Sequence, residues 1–180
     1  MNLTSRILFC VILCCSLADI VHAQEDPNAT SVRDVDVLLY MIDIDEVNSV
    51  SQSFKGTVYA EFRWRDPSLA HAGPDSISRK LNDIWYPHTQ ILNQQKLEDT
   101  FPRLAEVRPN GDVIFRQRVW GDFSQSLELH HFPFDKQRLE ITLVNIAFGS
   151  VRVRYEVNAL SGVSEKLRIP DWKVLSWDVS

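Results

Sequence analysis

Residues 55–65 alternate between apolar and polar side chains, and this alternation most constrains the fold of the chain. The apolar set consists of Val58, Ala60, Phe62 and Trp64. The polar set consists of Thr57, Tyr59, Glu61, Arg63 and Arg65. Because successive side chains of a strand point to opposite faces of a sheet, the pattern predicts a strand with one buried and one outward face. Tyr59 is then an aromatic residue on the outward, polar face.

Several other segments show the same alternation, and turn residues separate them. We predict further strands at residues 35–44, 113–120, 139–143 and 151–157, with a polar link at residues 45–48 after the first. The sequence Arg-Pro-Asn-Gly-Asp at residues 108–112 predicts a tight hairpin turn. Many short strands of this kind are typical of an antiparallel β-sandwich or barrel.

Residues 76–85 fit this pattern less well. Ile77, Leu81 and Ile84 have helical spacing, and Asp75 or Ser76 precedes them as a possible cap. The segment therefore predicts a short helix, with a strand at residues 81–86 as the alternative.

The N-terminal residues have the features of a secretory signal peptide. An apolar run at residues 7–18 follows Arg6, and the small residues around Ala23 predict cleavage after that position. The run is shorter than the roughly 20 apolar residues that a membrane-spanning helix needs. We therefore expect an exported chain.

The three cysteines, Cys10, Cys14 and Cys15, all lie in this apolar run, so we expect the mature chain to lack disulfides. The length of the remainder is sufficient for one sizeable core. We divide the chain into a signal peptide (1–23), an N-terminal extension (24–34) and one β-sandwich domain (35–180), which the resemblance described below implies is incomplete at its C-terminus.

The formal net charge of −5 and the pI of about 5.5 provide no basic surface for a polyanion, so nucleic acid is not an expected partner. Asp43, Asp45 and Glu46 are close together but lack the spacing and glycine of a calcium loop. His130 and His131 are adjacent and point apart in an extended segment, so they do not form a metal clamp. Without a serine elbow or a mature thiol, we expect no catalysis, no metal and no cofactor.

Residues 132–137 interrupt the alternation with two phenylalanines around a proline. The motif Phe132-Pro133-Phe134-Asp135-Lys136-Gln137 resembles the F/Y-P-F-D-x-Q signature of pentameric ligand-gated ion channels, the Cys-loop receptor superfamily. Trp64-Arg65-Asp66 is similar to the W-x-D element of that family, and Trp85-Tyr86-Pro87 to its W-x-P element, with Asn93 at the asparagine that often follows. The elements occur in the family's order over most of the mature chain. The resemblance implies an all-β, immunoglobulin-like antiparallel sandwich of the ligand-binding domain type.

Two departures from the family pattern refine this interpretation. Gln125 and Leu139 stand where animal receptors have the two cysteines of their loop, and prokaryotic members also lack that disulfide. The sequence ends at Ser180, before the family's last strand, loop C and four membrane helices. We therefore expect a prokaryotic-type domain that is either a fragment or a truncated gene product.

The resemblance implies a ligand site between neighbouring subunits. Tyr59 matches the aromatic position of segment D, and Leu92 that of loop A. Val107, Ile114 and Arg116 would supply segment E, and Ile146 to Phe148 loop B, while loop C is absent.

The ligand chemistry stays open at this point. An amine is held by cation-π contacts worth about 0.5 to 2 kcal/mol each, but Leu92 and Ile146 supply no ring, so Tyr59 and Phe148 would form half of such a box. Arg116 instead favours a carboxylate ligand, or lies on a solvated edge. Tyr59 as a packing residue against the next subunit is the remaining alternative.

The resemblance also implies contacts with a membrane domain. The tip formed by Phe132, Pro133, Phe134 and Asp135 would lie on that domain, with the segment from Asp45 and Glu46 beside it. The expected protein is thus the extracellular ligand-binding domain of a homopentameric channel in the cell membrane. A soluble secreted binding protein of the same fold, and an unrelated periplasmic β-sandwich for adhesion or carbohydrate binding, are the alternatives.

Overall fold

The computed structural model describes residues 5–9, 31–128, 136–146, 151–167 and 169–180 of the chain. Within these residues the chain is almost entirely strand and connecting loop. The strands are β1 Ser5–Phe9, β2 Ser31–Asn48, β3 Ser53–Arg65, β4 Ile77–Lys80, β5 Thr89–Ile91, β6 Gln94–Asp99, β7 Leu104–Val107, β8 Asp112–Ser124, β9 Arg138–Leu139, β10 Leu143–Asn145, β11 Val151–Val157, β12 Gly162–Val163 and β13 Trp172–Val174. Two short 3-10 helices lie at Pro67–Leu69 and Leu81–Asp83.

Most of these strands belong to one principal sheet. Its strand order is β11-β2-β3-β8-β7-β4, with β6 also paired to β8 and β12 to β2. Strands β5 and β10 form a separate antiparallel pair, and β1 pairs in parallel with both β9 and β13. Strands β11 and β12 run parallel to β2, so the principal sheet is mixed, although its central strands are antiparallel.

Strand β3 lies at the centre of the principal sheet and confirms the alternation that the sequence predicts. It pairs antiparallel with β2 on one edge and with β8 on the other. The four residues predicted to face inward are all buried: Val58, Ala60, Phe62 and Trp64. Phe54 stacks on Phe123 at 5.0 Å and Phe62 on Phe115 at 6.1 Å, so β3 and β8 share a continuous aromatic core. The expected β-sandwich fold is confirmed.

Three sequence-based predictions of local structure are wrong. The predicted single strand at residues 139–143 is two short strands, β9 and β10, which pair with different partners. Strand β2 does not end at Ile44. Its pairing with β3 is irregular between Met41 and Asp43 and between Ile44 and Glu46, and it continues to Asn48. Residues 76–85 form neither a helix nor a strand at 81–86. Strand β4 pairs with β7 along Ile77–Lys80, and a single 3-10 turn follows.

The W-x-D and W-x-P elements pack against each other in the structure. The rings of Trp64 and Trp85 meet edge to face at 5.8 Å, and the Arg33 guanidinium lies 4.3 Å from the Trp85 ring centre. Arg33 Nη1 also donates to Asp66 Oδ2 at 2.9 Å. Asp66 thereby links the start of β2 to the end of β3.

Asp66 also organises the turn that follows β3. Its Oδ1 accepts hydrogen bonds from the Ser68 backbone N at 3.1 Å and the Ser68 hydroxyl at 2.6 Å, which caps the first 3-10 helix. Its backbone N donates to the Gly111 carbonyl at 2.9 Å. Gly111 has φ +84°, and a Cβ there would lie 2.6 Å from the Asp66 carbonyl oxygen, so the β7–β8 hairpin requires glycine at this position.

We expect Asp66→Ala to lower the free energy of unfolding by about 1 to 3 kcal/mol, because the hydrogen bonds of a buried carboxylate to Arg33 and Ser68 are lost. Urea unfolding of the variant and the parent measures this difference. Asp75→Ala, at an exposed position, is the matched control and should unfold like the parent. Equal stability of the two variants would contradict the role given to Asp66.

Candidate functional site

The outward face of β3 carries a polar network centred on Glu61. This carboxylate is only 5% exposed. Its Oε1 accepts from Arg63 Nε at 2.6 Å, and its Oε2 accepts from the Tyr59 hydroxyl at 3.0 Å and from Arg116 Nε at 2.8 Å. The three donors come from β3 itself and from the paired strand β8, where Arg116 lies opposite Glu61 in register.

Arg116 has a second carboxylate partner on the next strand. Its Nη1 donates to Glu106 Oε2 at 2.9 Å, and Glu106 also accepts from the Ser76 hydroxyl at 3.2 Å. The guanidinium thus lies between two carboxylates of its own chain. The Arg116 side chain remains 40% exposed, and its charge is compensated by these two carboxylates.

The network shifts the pKa values of Glu61, Glu106, Arg116 and Tyr59. Burial raises the pKa of Glu61, but the hydrogen bonds from Arg63, Tyr59 and Arg116 outweigh burial and hold it below its ordinary value. The hydrogen bond from Arg116 likewise lowers the pKa of Glu106. The pKa of Arg116 is raised, chiefly by Glu106, and that of Tyr59 is raised by burial and by Glu61. All four groups therefore keep their usual charge at neutral pH.

An exposed aromatic patch adjoins this network, and sequence reasoning did not identify it. Phe101 meets the Tyr59 ring edge to face at 6.4 Å. Trp120 lies two residues beyond Arg118 on the same face of β8, and Phe101 and Trp120 are each 38% exposed. We call Tyr59, Phe101, Arg118 and Trp120 the aromatic patch.

Arg118 differs from Arg116 in its charge environment. It lies directly opposite Tyr59 in the β3–β8 register and is exposed. Among the described residues, its guanidinium has no side-chain hydrogen bond or ion pair. Within the described residues, the positive charge of Arg118 is therefore not compensated by a carboxylate.

The remaining segment E residues, Val107 and Ile114, have buried side chains. Val107, the last residue of β7, is completely buried in the core, and Ile114 is also buried although it lies opposite Arg63 on the outward face. The family resemblance assigns these residues to segment E, but only the three-dimensional packing determines their exposure.

The loop A and loop B residues lie on a different sheet from Tyr59. Leu92 follows β5 and its backbone N donates to the Thr142 carbonyl, while Ile146 follows β10 and its N donates to the His88 carbonyl. They lie at opposite ends of the β5–β10 ladder, about 13 Å apart at 3.3 Å per residue. Both are exposed, at 66% and 46%. Phe148 lies outside the described residues.

The predicted coupling residues Asp45 and Glu46 lie on β2 rather than in a loop. Asp45 Oδ2 accepts from Trp120 Nε1 at 2.8 Å, and Glu46 accepts from the Asn48 side chain at 2.9 Å. The hairpin tip beyond them carries Val50, which is 93% exposed. Phe132, Pro133, Phe134 and Asp135 lie outside the described residues.

Gln137 closes the base of the loop that contains this motif. Its buried side-chain amide donates to the Glu128 carbonyl at 2.6 Å and accepts from the Glu128 backbone N at 3.0 Å. The neighbouring Gln125 side chain accepts from the Glu140 backbone N at 2.9 Å. The final glutamine of the motif thus has a structural role that its spacing alone does not reveal.

In the described part of the chain, no helix is long and apolar enough to cross a membrane. The same residues contain no group of three or more histidine, cysteine, aspartate or glutamate side chains arranged to hold a metal ion. In a comparison with known families, residues 16–176 match the model described as neurotransmitter-gated ion-channel ligand binding domain.

The depressed pKa of Glu61 gives a testable pH dependence. Because its folded-state pKa lies below the unfolded value of 4.5, its contribution is present above that pH and is lost as the pH falls through the folded-state pKa. We expect Glu61→Gln to lose about 1 to 3 kcal/mol of stability at neutral pH, and the difference from the parent to shrink in acid.

Urea unfolding of the parent and the variant at about pH 7 and about pH 3 measures this change. Glu165→Gln, in an exposed loop, is the control and should match the parent at both pH values. A Glu61→Gln deficit that is unchanged in acid would show that the carboxylate charge is not what stabilises the network.

Proposed function

The chain belongs to the neurotransmitter-gated ion-channel ligand binding domain family, and from this premise we propose that it is the extracellular domain of a homopentameric channel. In this proposal the domain lies on the extracellular or periplasmic side of the cell membrane. It binds a small ligand between two copies and couples binding to pore opening and ion transport.

One observation carries the proposal: the candidate site is divided between two surfaces of a single chain. The aromatic patch lies on the outward face of the principal sheet, whereas Leu92 and Ile146 extend from the β5–β10 pair. A single copy therefore presents two half-sites. A second copy completes the site if its Leu92 and Ile146 loops pack against the aromatic patch of the first.

The aromatic patch favours a ligand with an anionic group. Arg116 is compensated by Glu61 and Glu106, while Arg118 beside Tyr59 has no such partner. Guanidinium groups recognise carboxylates through paired hydrogen bonds. The ring of Tyr59, with its hydroxyl fixed on Glu61, supplies a flat wall for the rest of the ligand.

Cysteine cross-linking tests this arrangement between copies. On a background with Cys10, Cys14 and Cys15 replaced by serine, we expect Phe101→Cys combined with Leu92→Cys to form disulfide-linked oligomers under mild oxidation. Both positions are exposed, and the proposed interface brings the residue of one copy to that of the next. Non-reducing electrophoresis and sedimentation measure the products.

The matched control combines Phe101→Cys with Leu160→Cys, an exposed residue in the loop after β11. Each single-cysteine variant measures the yield of disulfide-linked dimers that random collision between copies produces. Oligomer yields equal to those of the control pair would contradict the proposed interface.

Coupling is proposed to run through two apolar tips, Val50 on the β2–β3 hairpin and Phe134 in the loop that Gln137 closes. A side chain that packs differently against closed and open pores shifts the gating equilibrium. In a channel that carries this domain, we therefore expect Val50→Ser and Phe134→Ala to lower maximal current while ligand affinity changes less than about threefold. Patch-clamp recording and equilibrium ligand binding measure the two quantities.

Leu160→Ser is the control for this experiment, since it also removes an exposed apolar side chain outside both tips. Normal maximal current in both tip variants, together with weakened binding, would assign the tips to the ligand site and reject the coupling role.

A further inference from the structure

A cavity of about 350 Å³ lies inside the sandwich, apart from the interface described above. It is bounded by the inward face of the principal sheet and by residues of β5, β6 and β10. Buried Leu39, Val58, Phe62 and Leu143 form an apolar floor. Its volume falls within the usual range of small-molecule sites.

The register of β8 explains why the interior is open here. Inward residues of β8 run Phe115, Gln117, Val119, so an amide interrupts an apolar row. Gln117 lies beside Ala60 on β3, whose side chain is smaller than those of its inward neighbours Val58 and Phe62. The small side chain of Ala60 beside the half-buried side chain of Gln117 leaves space that close-packed interiors rarely retain.

Polar groups converge where this cavity meets solvent. Gln117 Nε2 donates to Asp99 Oδ1 at 3.2 Å, and Arg103 Nη1 lies 4.0 Å from Asp99 Oδ2. The Gln117 amide oxygen accepts no hydrogen bond from the described residues. Asp99 and Arg103 are both exposed, so they form a mouth that carries one negative and one positive charge.

We propose that this cavity binds a zwitterionic amino acid with an aliphatic side chain. The side chain occupies the floor formed by Leu39, Val58, Phe62 and Leu143. At the mouth, the ammonium group binds the Asp99 carboxylate and the Gln117 amide oxygen, and the carboxylate binds the Arg103 guanidinium. The site faces inward from Ala60 and Gln117, whereas Tyr59 and Arg118 face outward, so the two sites are on opposite sides of the same sheet.

The charges of the mouth support a zwitterion over a singly charged ligand. Asp99 and Arg103 cancel each other, and their exposed pair at 4.0 Å is a weak one that a ligand can replace. A zwitterion between them gives each charge a new partner. An amine or an acid alone leaves one of the two charges without a partner.

Isothermal titration of the full chain with L-leucine tests the proposal. We expect saturable binding, and at least tenfold weaker binding of 3-methylbutylamine and of 4-methylpentanoate, which each lack one of leucine's charges. No leucine binding at millimolar concentration, or equal binding of all three molecules, would overturn the proposal.

Two variants assign any binding to this cavity. Ala60→Leu fills the space with carbon, and Asp99→Asn removes one charge at an exposed position where folding is not at risk. We expect each to weaken leucine binding at least tenfold, while Asp83→Asn, an exposed control outside the cavity, binds like the parent. Unchanged binding by Asp99→Asn would overturn the proposal even if Ala60→Leu failed to fold.

Discussion

The pairing of β3 with neighbours on both edges is the constraint on which the rest of the structure depends. Every residue from Ser53 to Arg65 is in register with β8, and most are also paired with β2. A slip of one residue would exchange the two faces of the strand. It would place Glu61 and Arg63 in the apolar core and expose Phe62, so the register has no low-energy alternative.

Both proposed binding surfaces follow from this single register. The outward row of β3 contains Tyr59 and Glu61, which form the network and part of the aromatic patch. The inward row contains Ala60, which with Gln117 opens the interior cavity. The buried carboxylate of Glu61 is compensated by Arg116, whereas Arg118, one outward position further along β8, is exposed.

The sequence predicts what is local and periodic in this fold. The faces of β3 and the hairpin at residues 108–112 depend on alternation and on a glycine that adopts positive φ, and both are confirmed. The prediction that β2 ends at Ile44 is wrong, because irregular pairing with β3 lets the strand continue through polar residues. The prediction of a helix at residues 76–85 is wrong, because residues 77–80 pair with β7 and this pairing outweighs the weak helical spacing.

The candidate site was less predictable because it depends on contacts distant in sequence. Whether Arg116 or Arg118 has a free charge is decided by Glu106, which β7 brings beside β8. Val107 matches a motif position but is in the core, and no local pattern reveals that. Phe101 precedes a proline in a loop between two strands, and its contact with Tyr59 follows only from the way that loop crosses the sheet.

Side-chain amides hold the base of the motif loop where animal receptors have a disulfide. Gln137 makes two hydrogen bonds to the Glu128 backbone, Gln125 makes one to Glu140, and Asn93 bonds the carbonyls of Ser124 and Glu140. Each such bond contributes about 0.5 to 1.5 kcal/mol, against about 2 to 4 kcal/mol for a disulfide. Together they fix the loop's two ends on the core through Leu127 and Leu139, which are buried beside them. The two ends of the loop are thus anchored to the core by hydrogen bonds from side-chain amides and without a covalent bond.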